Sequence, residues 1–167
     1  YPCDFMFVAS MNPCPCGYYG SKDKECNCSS QAISKYMGKI SGPLLDRIDI
    51  QIEVTPVKYK KLDSEEKIET SKEIKQRVNK ARQIQRDRYK QEKIYSNSQL
   101  TPKLIEKYCK LDKKGKVILQ AAFEKLGLSA RAYGRILKVA RTIADLDGKE
   151  DIEEKHIAEA IQYRSLD

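Results

Sequence analysis

The sequence predicts a mixed fold of class α/β plus α, in which a small piece of sheet precedes a helical bundle. Two apolar segments with strand character, residues 5–9 and 49–54, flank a loop rich in glycine, proline and cysteine. From about residue 64 onward, apolar residues recur at helical spacing instead. We therefore assign residues 1–57 to the end of an α/β domain and residues 58–167 to a helical domain.

The first domain has the order strand, loop, helix, strand. Residues 5–9 form a continuous apolar run, which is typical of a central strand in a parallel sheet. A loop follows over residues 13–30, and a short helix is predicted over residues 30–39. Residues 49–54 alternate polar and apolar, which indicates a half-buried or edge strand. Two strands leave open edges, so we expect this sequence to be a piece of a longer protein.

Five helices are predicted in the second domain. They are a long polar helix from Ser64 or Ser71 to about residue 91, and helices over about 101–109, 113–126, 129–148 and 153–163. In the third of these, the predicted buried residues are Val117, Leu119, Ala122, Phe123 and Leu126. In the fourth, they are Tyr133, Ile136, Leu137, Ala140, Ile143, Ala144 and Leu146.

Composition indicates a soluble globular protein, with 40% hydrophobic and 34% charged residues and no apolar run of membrane-spanning length. The net charge is +8. Much of the excess lies in residues 72–93, where nine basic residues stand against three acidic ones. Such a segment either contacts a nucleic-acid backbone or is a solvated helix face.

Four of the six cysteines form two closely spaced pairs, Cys14/Cys16 and Cys26/Cys28. Without a secretory signal they indicate a reducing, cytoplasmic environment, in which paired thiols usually bind metal. Four thiolates would complete a tetrahedral structural zinc site; an iron–sulfur cluster or four reduced thiols are the alternatives. The two remaining cysteines, Cys3 and Cys109, are interpreted as small buried hydrophobic residues.

Two polar residues stand at the borders of the predicted strands. Asn12 follows the first strand directly, where its amide could orient a water or touch a phosphate oxygen, although Asn-Pro is also a common turn. Arg47 directly precedes the second strand and could reach a phosphate across a subunit boundary, or pair with Asp46 or Asp49.

Three cations share one face of the predicted helix at 129–148, namely Arg131, Arg135 and Lys138. Arg131 lies in the first turn, against the helix dipole, which hints at a site. The chain has no match to the phosphate-loop pattern G-x-x-x-x-G-K-[ST]. The single histidine, His156, is expected at the surface or half-buried.

Long motifs give the chain a family resemblance. The stretches FVASMNPCPCGYYG, CNC, KISGPLLDRIDIQIEV and LGLSARAYGRILKVARTIADLDG closely resemble the Mg-chelatase-like AAA+ ATPases of the ComM type. The Asn-Pro and LLDRID segments also resemble, more distantly, the magnesium-chelatase motor subunit and the replicative MCM helicases. The resemblance implies that residues 1–57 end an AAA+ α/β core and residues 58–167 form its helical lid.

The resemblance also implies roles for single residues. Asn12 matches sensor 1, Arg47 the arginine finger, and Arg131, with Arg135 as second candidate, sensor 2. The cysteine pairs match a cysteine-rich insertion that binds zinc. ATP and Mg²⁺ would be bound by the full-length protein, whose phosphate loop would lie upstream, so this fragment alone should be inactive.

Intact members of the family resemble hexameric ring ATPases that act on DNA during natural transformation. The resemblance therefore implies a ring oligomer, DNA as partner and no membrane attachment. The alternative is a zinc-stapled DNA-binding or assembly module without nucleotide chemistry, which the basic segment at 72–93 favours.

Overall fold

The computed structural model describes residues 5–55 and 69–164, which form two compact units dividing between Arg47 and Ile48. The predicted domain boundary after residue 57 falls among residues 56–68, outside the described parts, and stays a prediction. None of the described helices combines the length and the apolar character needed to cross a lipid bilayer.

The first unit contains two short helices, α1 (Ser30–Met37) and α2 (Gly42–Leu45). Ser29 caps α1 by accepting a hydrogen bond from the backbone N–H of Ala32 at 3.2 Å. Ser41 caps α2 through the N–H of Leu44 at 3.3 Å. Serine caps of this kind satisfy N–H groups that have no partner within the helix, which explains why both helices begin where they do.

The two predicted strands do not form in the described residues, so the α/β part of the predicted fold is not confirmed. The large apolar side chains of residues 5–9 are 62–87% exposed, and those of residues 49–54 are 53–82% exposed. A strand is stabilised by a neighbouring strand and by elements packed on its faces. The β-pairing present in the described residues is one isolated bridge between Leu111 and Ile152.

The second unit is helical, as predicted. Its described elements are α3 (Ser71–Arg88), a 3₁₀ turn (Asn97–Gln99), α4 (Pro102–Tyr108), α5 (Lys113–Leu126), α6 (Ala130–Leu146) and α7 (Glu154–Gln162). Thr70 begins α3 with a capping box, in which its hydroxyl accepts from the N–H of Glu73 and the Glu73 carboxylate accepts from the N–H of Thr70. Ser129 caps α6 as predicted, and Gly127 ends α5 in the left-handed region at φ 58°.

The core of the second unit is built around α6. Four of its residues, Ile136, Leu137, Ala140 and Ala144, are at most 2% exposed. Around them pack the buried residues Tyr89, Leu100, Ile105, Cys109, Leu119, Ile152, Ile157 and Ala160. Cys109 is therefore a buried hydrophobic residue, as predicted, whereas Cys3 lies outside the described residues.

Three residues predicted to be buried are exposed instead. Val117 is 65% exposed, Tyr133 46% and Leu146 40%. Val117 lies two positions from the buried Leu119, a rotation of about 200° around a helix, so the two cannot share one face. Tyr133 makes an edge-to-face contact with Phe123, with ring centroids 5.9 Å apart.

Charged residues also lie inside this core. Asp145 is 1% exposed and accepts hydrogen bonds from Arg88 of α3, from Arg141 of α6 and from the amide of Asn97. Arg141, 2% exposed, also donates to the carbonyls of Lys149 and Glu150, just beyond α6. Within the described part of the chain, every buried side-chain nitrogen and oxygen has a hydrogen-bond partner, which makes such burial tolerable.

His156 is predicted at the surface or half-buried, and this is wrong, because the side chain is buried with 2% exposure. Its Nδ1 accepts a hydrogen bond from the N–H of Glu153 at 2.9 Å, and its Nε2 lies 3.1 Å from the Asp147 carboxylate. Both ring nitrogens therefore have partners, and the imidazole serves as a helix cap at the start of α7.

Candidate metal centre and candidate arginine sites

The four predicted metal ligands come together in the first unit. The Sγ atoms of Cys14, Cys16, Cys26 and Cys28 all lie within 4.8 Å of one another. Cys14 Sγ lies 3.3 Å from Cys16 Sγ and 3.7 Å from Cys26 Sγ. The Sγ atoms of Cys16 and Cys26 are 3.6 Å apart. These separations far exceed a disulfide bond of about 2.05 Å. They match the roughly 3.8 Å edge of a sulfur tetrahedron around an ion with bonds of about 2.3 Å.

Interactions among the four thiols separate their pKa values. Burial raises the pKa of Cys14, but hydrogen bonds from Cys16 and from the N–H of Tyr19 outweigh it and lower that pKa to about 6. At Cys26 a backbone hydrogen bond from Cys28 lowers the pKa, yet burial and the neighbouring thiols raise it to about 12. Deprotonation of Cys14 is thus favoured at neutral pH, and the resulting thiolate makes deprotonation of the neighbouring Cys26 harder. A divalent cation removes this conflict, because it stabilises all four thiolates at once.

The loop carrying the cysteines is shaped by glycines. Gly17 and Gly20 have φ angles of +83° and +77°, in the left-handed region that glycine adopts at little cost. The N–H of Gly17 donates to the carbonyl of Cys14 at 3.0 Å, closing a tight turn. The N–H of Tyr19 donates to Cys14 Sγ at 3.4 Å. Amide groups turned toward a sulfur support a bound thiolate, as partners beyond the ligands do at metal sites.

Asn12, the predicted sensor residue, lies at the start of this loop. Its side-chain amide is 3.7 Å from the position that a Cβ on Gly17 would occupy. Asn12 is exposed, and its amide can therefore reach a ligand from outside. The structure thus places Asn12 beside the backbone of the cysteine loop, so the fold of that loop influences where the amide points.

Arg47 lies one residue beyond the C-cap of α2 and is exposed. Its Nη1 donates a hydrogen bond to the carbonyl of Pro43 at 2.8 Å. A cation near the last carbonyls of a helix is electrostatically favoured. This contact directs the guanidinium back along α2.

The predicted sensor 2 residues line a groove of about 820 Å³ within the second unit. Arg131 is exposed in the first turn of α6, and Arg135 and Lys138 follow at the next turns. Asp49, Ile50 and Ile52 also line the groove. The floor is mainly apolar and is formed by Leu100, Pro102, Ile105, Val139, Ile143 and Leu146. Arginines above an apolar floor suit a ligand with an aromatic part and a negative charge.

Within this groove the two arginines differ in their surroundings. Arg135 forms an ion pair with Asp49, whose segment is held by two further hydrogen bonds, from Gln51 N–H to the Tyr163 carbonyl at 2.8 Å and from Arg164 to the Ile48 carbonyl at 3.1 Å. Burial lowers the pKa of Lys138, which donates to the Ser98 carbonyl at 2.8 Å. Arg131 is the most exposed of the three cations, since Arg135 and Lys138 are half-buried.

A second group that could hold a metal is Asp147, Glu153 and His156. It already contains a cation, because the Lys155 ammonium lies 2.6 Å from Asp147 and 3.5 Å from Glu153. Hydrogen bonds from Lys155 and then His156 lower the pKa of the Asp147 carboxyl. We interpret this group as an ion-pair cluster.

Sequence reasoning missed the buried pair of Arg141 and Asp145. A signal was present, because Arg141 lies four residues after the buried Leu137 and Asp145 four residues after Arg141. Helical spacing therefore places both on the apolar face of α6. Sequence reasoning also offered Asp46 or Asp49 as the partner of Arg47, and the structure pairs Asp49 with Arg135.

Comparison with known proteins gives two family matches that together span nearly the whole chain. Residues 68–164 match the family described as magnesium chelatase, subunit ChlI C-terminal. Residues 1–62 match the family described as magnesium chelatase, subunit ChlI.

Individual relatives are also similar to this chain over nearly its whole length. Competence protein ComM of Haemophilus influenzae is 44% identical over 168 residues, covering 99% of this chain and 32% of that protein. The uncharacterised protein YifB of Escherichia coli is 39% identical over 169 residues, covering 100% of this chain and 32% of that protein. An uncharacterised protein of Mycobacterium tuberculosis is 30% identical over 164 residues. The chain thus spans about a third of the length of the curated relatives it matches.

Proposed function

Because this chain belongs to the magnesium chelatase subunit ChlI C-terminal family, we propose that it is part of an AAA+ ATPase of the ComM type. In this proposal the chain supplies three elements of an ATP site: Asn12 as sensor 1, Arg47 as arginine finger and Arg131 as sensor 2. The phosphate loop and the Mg²⁺-binding acidic residues belong to the full-length protein. This chain alone does not hydrolyse ATP, because it contains no phosphate-loop motif.

The observation that carries the proposal is the position of Arg47. The family match covers it, and the side chain is exposed with its guanidinium held by the Pro43 carbonyl. In phosphoryl transfer, catalysis is largely positioning and charge stabilisation, and an arginine finger contributes about 10³–10⁵ in rate. A planar guanidinium presents donors in a fixed fork that matches phosphate oxygens. Arg47 therefore suits delivery to the nucleotide of a neighbouring subunit.

Arg131 and Arg135 take different parts in the proposal. Arg131 is exposed and lines the groove. In this proposal it contacts the phosphates of the nucleotide bound to its own subunit. Arg135 already balances Asp49, which makes it the second candidate for this contact. Asn12 orients the attacking water, a role that its amide suits as both donor and acceptor.

The cysteine cluster is proposed as a structural zinc site. Four thiolates fill the tetrahedral shell, so no position is left for a substrate. The loop holds a single fully buried residue, Cys14, and has little apolar core of its own. The zinc therefore stabilises the loop and, through Gly17, the position of Asn12.

The proposed assembly is a ring, with DNA as the substrate of the motor. A finger that acts on the next subunit requires a head-to-tail interface, and closed head-to-tail interfaces generate rings. Similarity to a competence protein supports DNA as the partner. A cytoplasmic location agrees with cysteines that remain as thiols.

The experiment is complementation between two variants of the full-length protein. Arg47→Ala and Asn12→Ala should each reduce ATP hydrolysis by at least about a hundredfold, while binding of a fluorescent nucleotide changes little. Mixed rings contain sites that combine Asn12 of one subunit with Arg47 of the next. Hydrolysis in a 1:1 mixture should therefore recover to about a quarter of the wild-type rate. The exposed α1 substitution Lys35→Ala is the control and should leave hydrolysis unchanged.

Two outcomes would contradict these assignments. Wild-type turnover by Arg47→Ala would remove the arginine finger from the proposal. Two inactive variants that remain inactive when mixed would show that Asn12 and Arg47 do not serve different subunits.

A second candidate function is a zinc-stapled DNA-binding or assembly module without nucleotide chemistry. The exposed basic helix α3 favours it. The coding sequence upstream of Tyr1 separates the two candidates. A phosphate loop there supports the motor, and its absence supports the module.

A further inference from the structure

Helix α3 carries a stripe of four exposed cations along one side. These are Lys72, Lys75, Arg82 and Arg86, hereafter the basic stripe. At about 100° per residue they fall within an arc of about 80°, and at 1.5 Å per residue they span about 21 Å. The helix thus presents a continuous positive edge along most of its length.

Another side of α3 is fixed by contacts with the rest of the second unit. Ala81 and Gln85 are 4% and 3% exposed, Gln85 accepts a hydrogen bond from the N–H of Asn97, and Arg88 is anchored to Asp145 of α6. Their centre lies about 120° around the helix from the centre of the basic stripe. The stripe is therefore held outward by a rigid attachment at the C-terminal half of the helix.

The described acidic residues within α3 and just before it already have partners. Glu73 closes the capping box with Thr70, Glu69 pairs with Arg77, and Asp87 pairs with Lys90. Among the described residues, the four cations of the stripe form no ion pair. This concentration of uncompensated positive charge is complementary to a regular line of negative charge.

We propose that the basic stripe of α3 binds the phosphate backbone of duplex DNA. Phosphates repeat every 3.4 Å along each strand of the duplex, so about six lie within the length of the stripe. The choice of DNA as partner rests on the proposed function, whereas the stripe contains none of the residues Asn12, Arg47 and Arg131. Helix α3 contains no aromatic residue, so it offers no stacking platform of the kind that single-strand binders use. The contact is therefore independent of base sequence.

The test compares two variants of the full-length protein that lose the same charge. The stripe variant carries Lys72→Gln, Lys75→Gln, Arg82→Gln and Arg86→Gln. The control variant carries Lys110→Gln, Lys113→Gln, Lys116→Gln and Lys125→Gln, which are exposed positions elsewhere in the second unit. Fluorescence anisotropy of a labelled 30-bp duplex, without nucleotide and at several salt concentrations, measures binding. Thermal unfolding by circular dichroism confirms that both variants fold.

We expect the stripe variant to bind the duplex at least about tenfold more weakly at 50 mM salt. The slope of log K against log salt should become shallower by about 3.6, which is about 0.9 for each cation removed. The control variant should keep the wild-type slope within about one. An unchanged salt slope in the stripe variant would overturn the proposal. An equal loss of duplex affinity in the stripe variant and the control variant would overturn it as well.

Two further measurements separate this site from the motor function. The first measures binding of a single-stranded oligonucleotide to the same variants. If the stripe variant loses more affinity for the single strand than for the duplex, the assignment to duplex DNA is overturned. ATP hydrolysis without DNA should be unchanged in the stripe variant, because no residue of the stripe belongs to the proposed ATP site. If the full-length protein hydrolyses no ATP while the stripe still accounts for the salt slope, the motor proposal fails and this one stands.

Discussion

Arg88 and Asp145, 57 residues apart in the sequence, join the end of α3 to α6 through a bidentate ion pair. Arg88 Nη1 donates to Asp145 Oδ2 at 3.0 Å, and Nη2 donates to Oδ1. The Asp145 side chain is fully buried and that of Arg88 is 15% exposed. Asp145 also accepts from Arg141 Nε at 3.1 Å, so a single carboxylate balances two guanidinium groups. The orientation of α3, and with it the basic stripe, depends on this carboxylate.

The first prediction concerns that carboxylate. Asp145→Asn keeps the shape of the side chain but leaves two guanidinium groups without a buried counter-charge. We expect the free energy of unfolding to fall by about 3–5 kcal/mol, measured by urea denaturation. Asp151→Asn, at an exposed position, is the matched control and should change it by less than about 0.5 kcal/mol. A loss of equal size in both variants would contradict the structural role assigned to Asp145.

The second prediction concerns pH and the buried thiol of Cys109. Burial raises the pKa of this thiol to about 11, although the nearby Arg141 and Arg88 oppose the shift. Because the pKa is higher in the folded state, the buried neutral thiol contributes its full stabilisation of the folded protein below about pH 8.5. This contribution is lost as the pH rises toward 11. Between pH 8 and pH 10.5 the free energy of unfolding of the wild type should therefore fall by about 2 kcal/mol more than that of Cys109→Ala. Parallel losses over that range would show that the thiol is accessible to solvent in the native state.

The third prediction tests the metal centre. Purified in the presence of zinc, the protein should contain about one equivalent, and Cys16→Ser should reduce this by at least half. Cys109→Ala removes a thiol outside the cluster and should leave the zinc content unchanged. Zinc can be measured by elemental analysis and the thiols by alkylation with and without a chelator. Four readily alkylated thiols in zinc-replete protein would argue against the site.

The fourth prediction distinguishes the two faces of α5. Leu119 is 3% exposed within the core, and Val117 is 65% exposed. Leu119→Ala should therefore destabilise the protein by about 2–5 kcal/mol. Val117→Ala should be neutral or slightly stabilising, since alanine favours the helix. Comparable losses at the two positions in thermal unfolding would mean that a partner covers Val117 in solution.

Much of the helical unit could be predicted from the sequence because its signals are local. Ser129 caps α6 through a hydrogen bond to a residue three positions away, and Gly127 ends α5 by its own backbone conformation. The spacing of Ile136, Leu137 and Ala140 identified the core face of α6. Helices close their hydrogen bonds within a few residues, so sequence patterns of that length describe them well.

The segments predicted as strands could not be decided in this way. A strand takes its hydrogen bonds from a neighbouring strand, and among the described residues neither 5–9 nor 49–54 meets one. The N–H of Gln51 bonds instead to the carbonyl of Tyr163, at the end of α7. The apolar character of the two segments indicates what they can bury but not what is available to cover them. The same reasoning failed at Val117, where helical phase rather than hydrophobicity decides burial.

The sequence by itself determined the family, the helical order of the second unit and the identity of the four clustered thiols. Only the tertiary structure decided that Asp49 pairs with Arg135, that His156 is buried and that Asp145 balances two arginines. The physical reason is distance along the chain. Caps and helical faces depend on residues within about one or two turns, whereas these contacts join residues that become neighbours only when the helices pack.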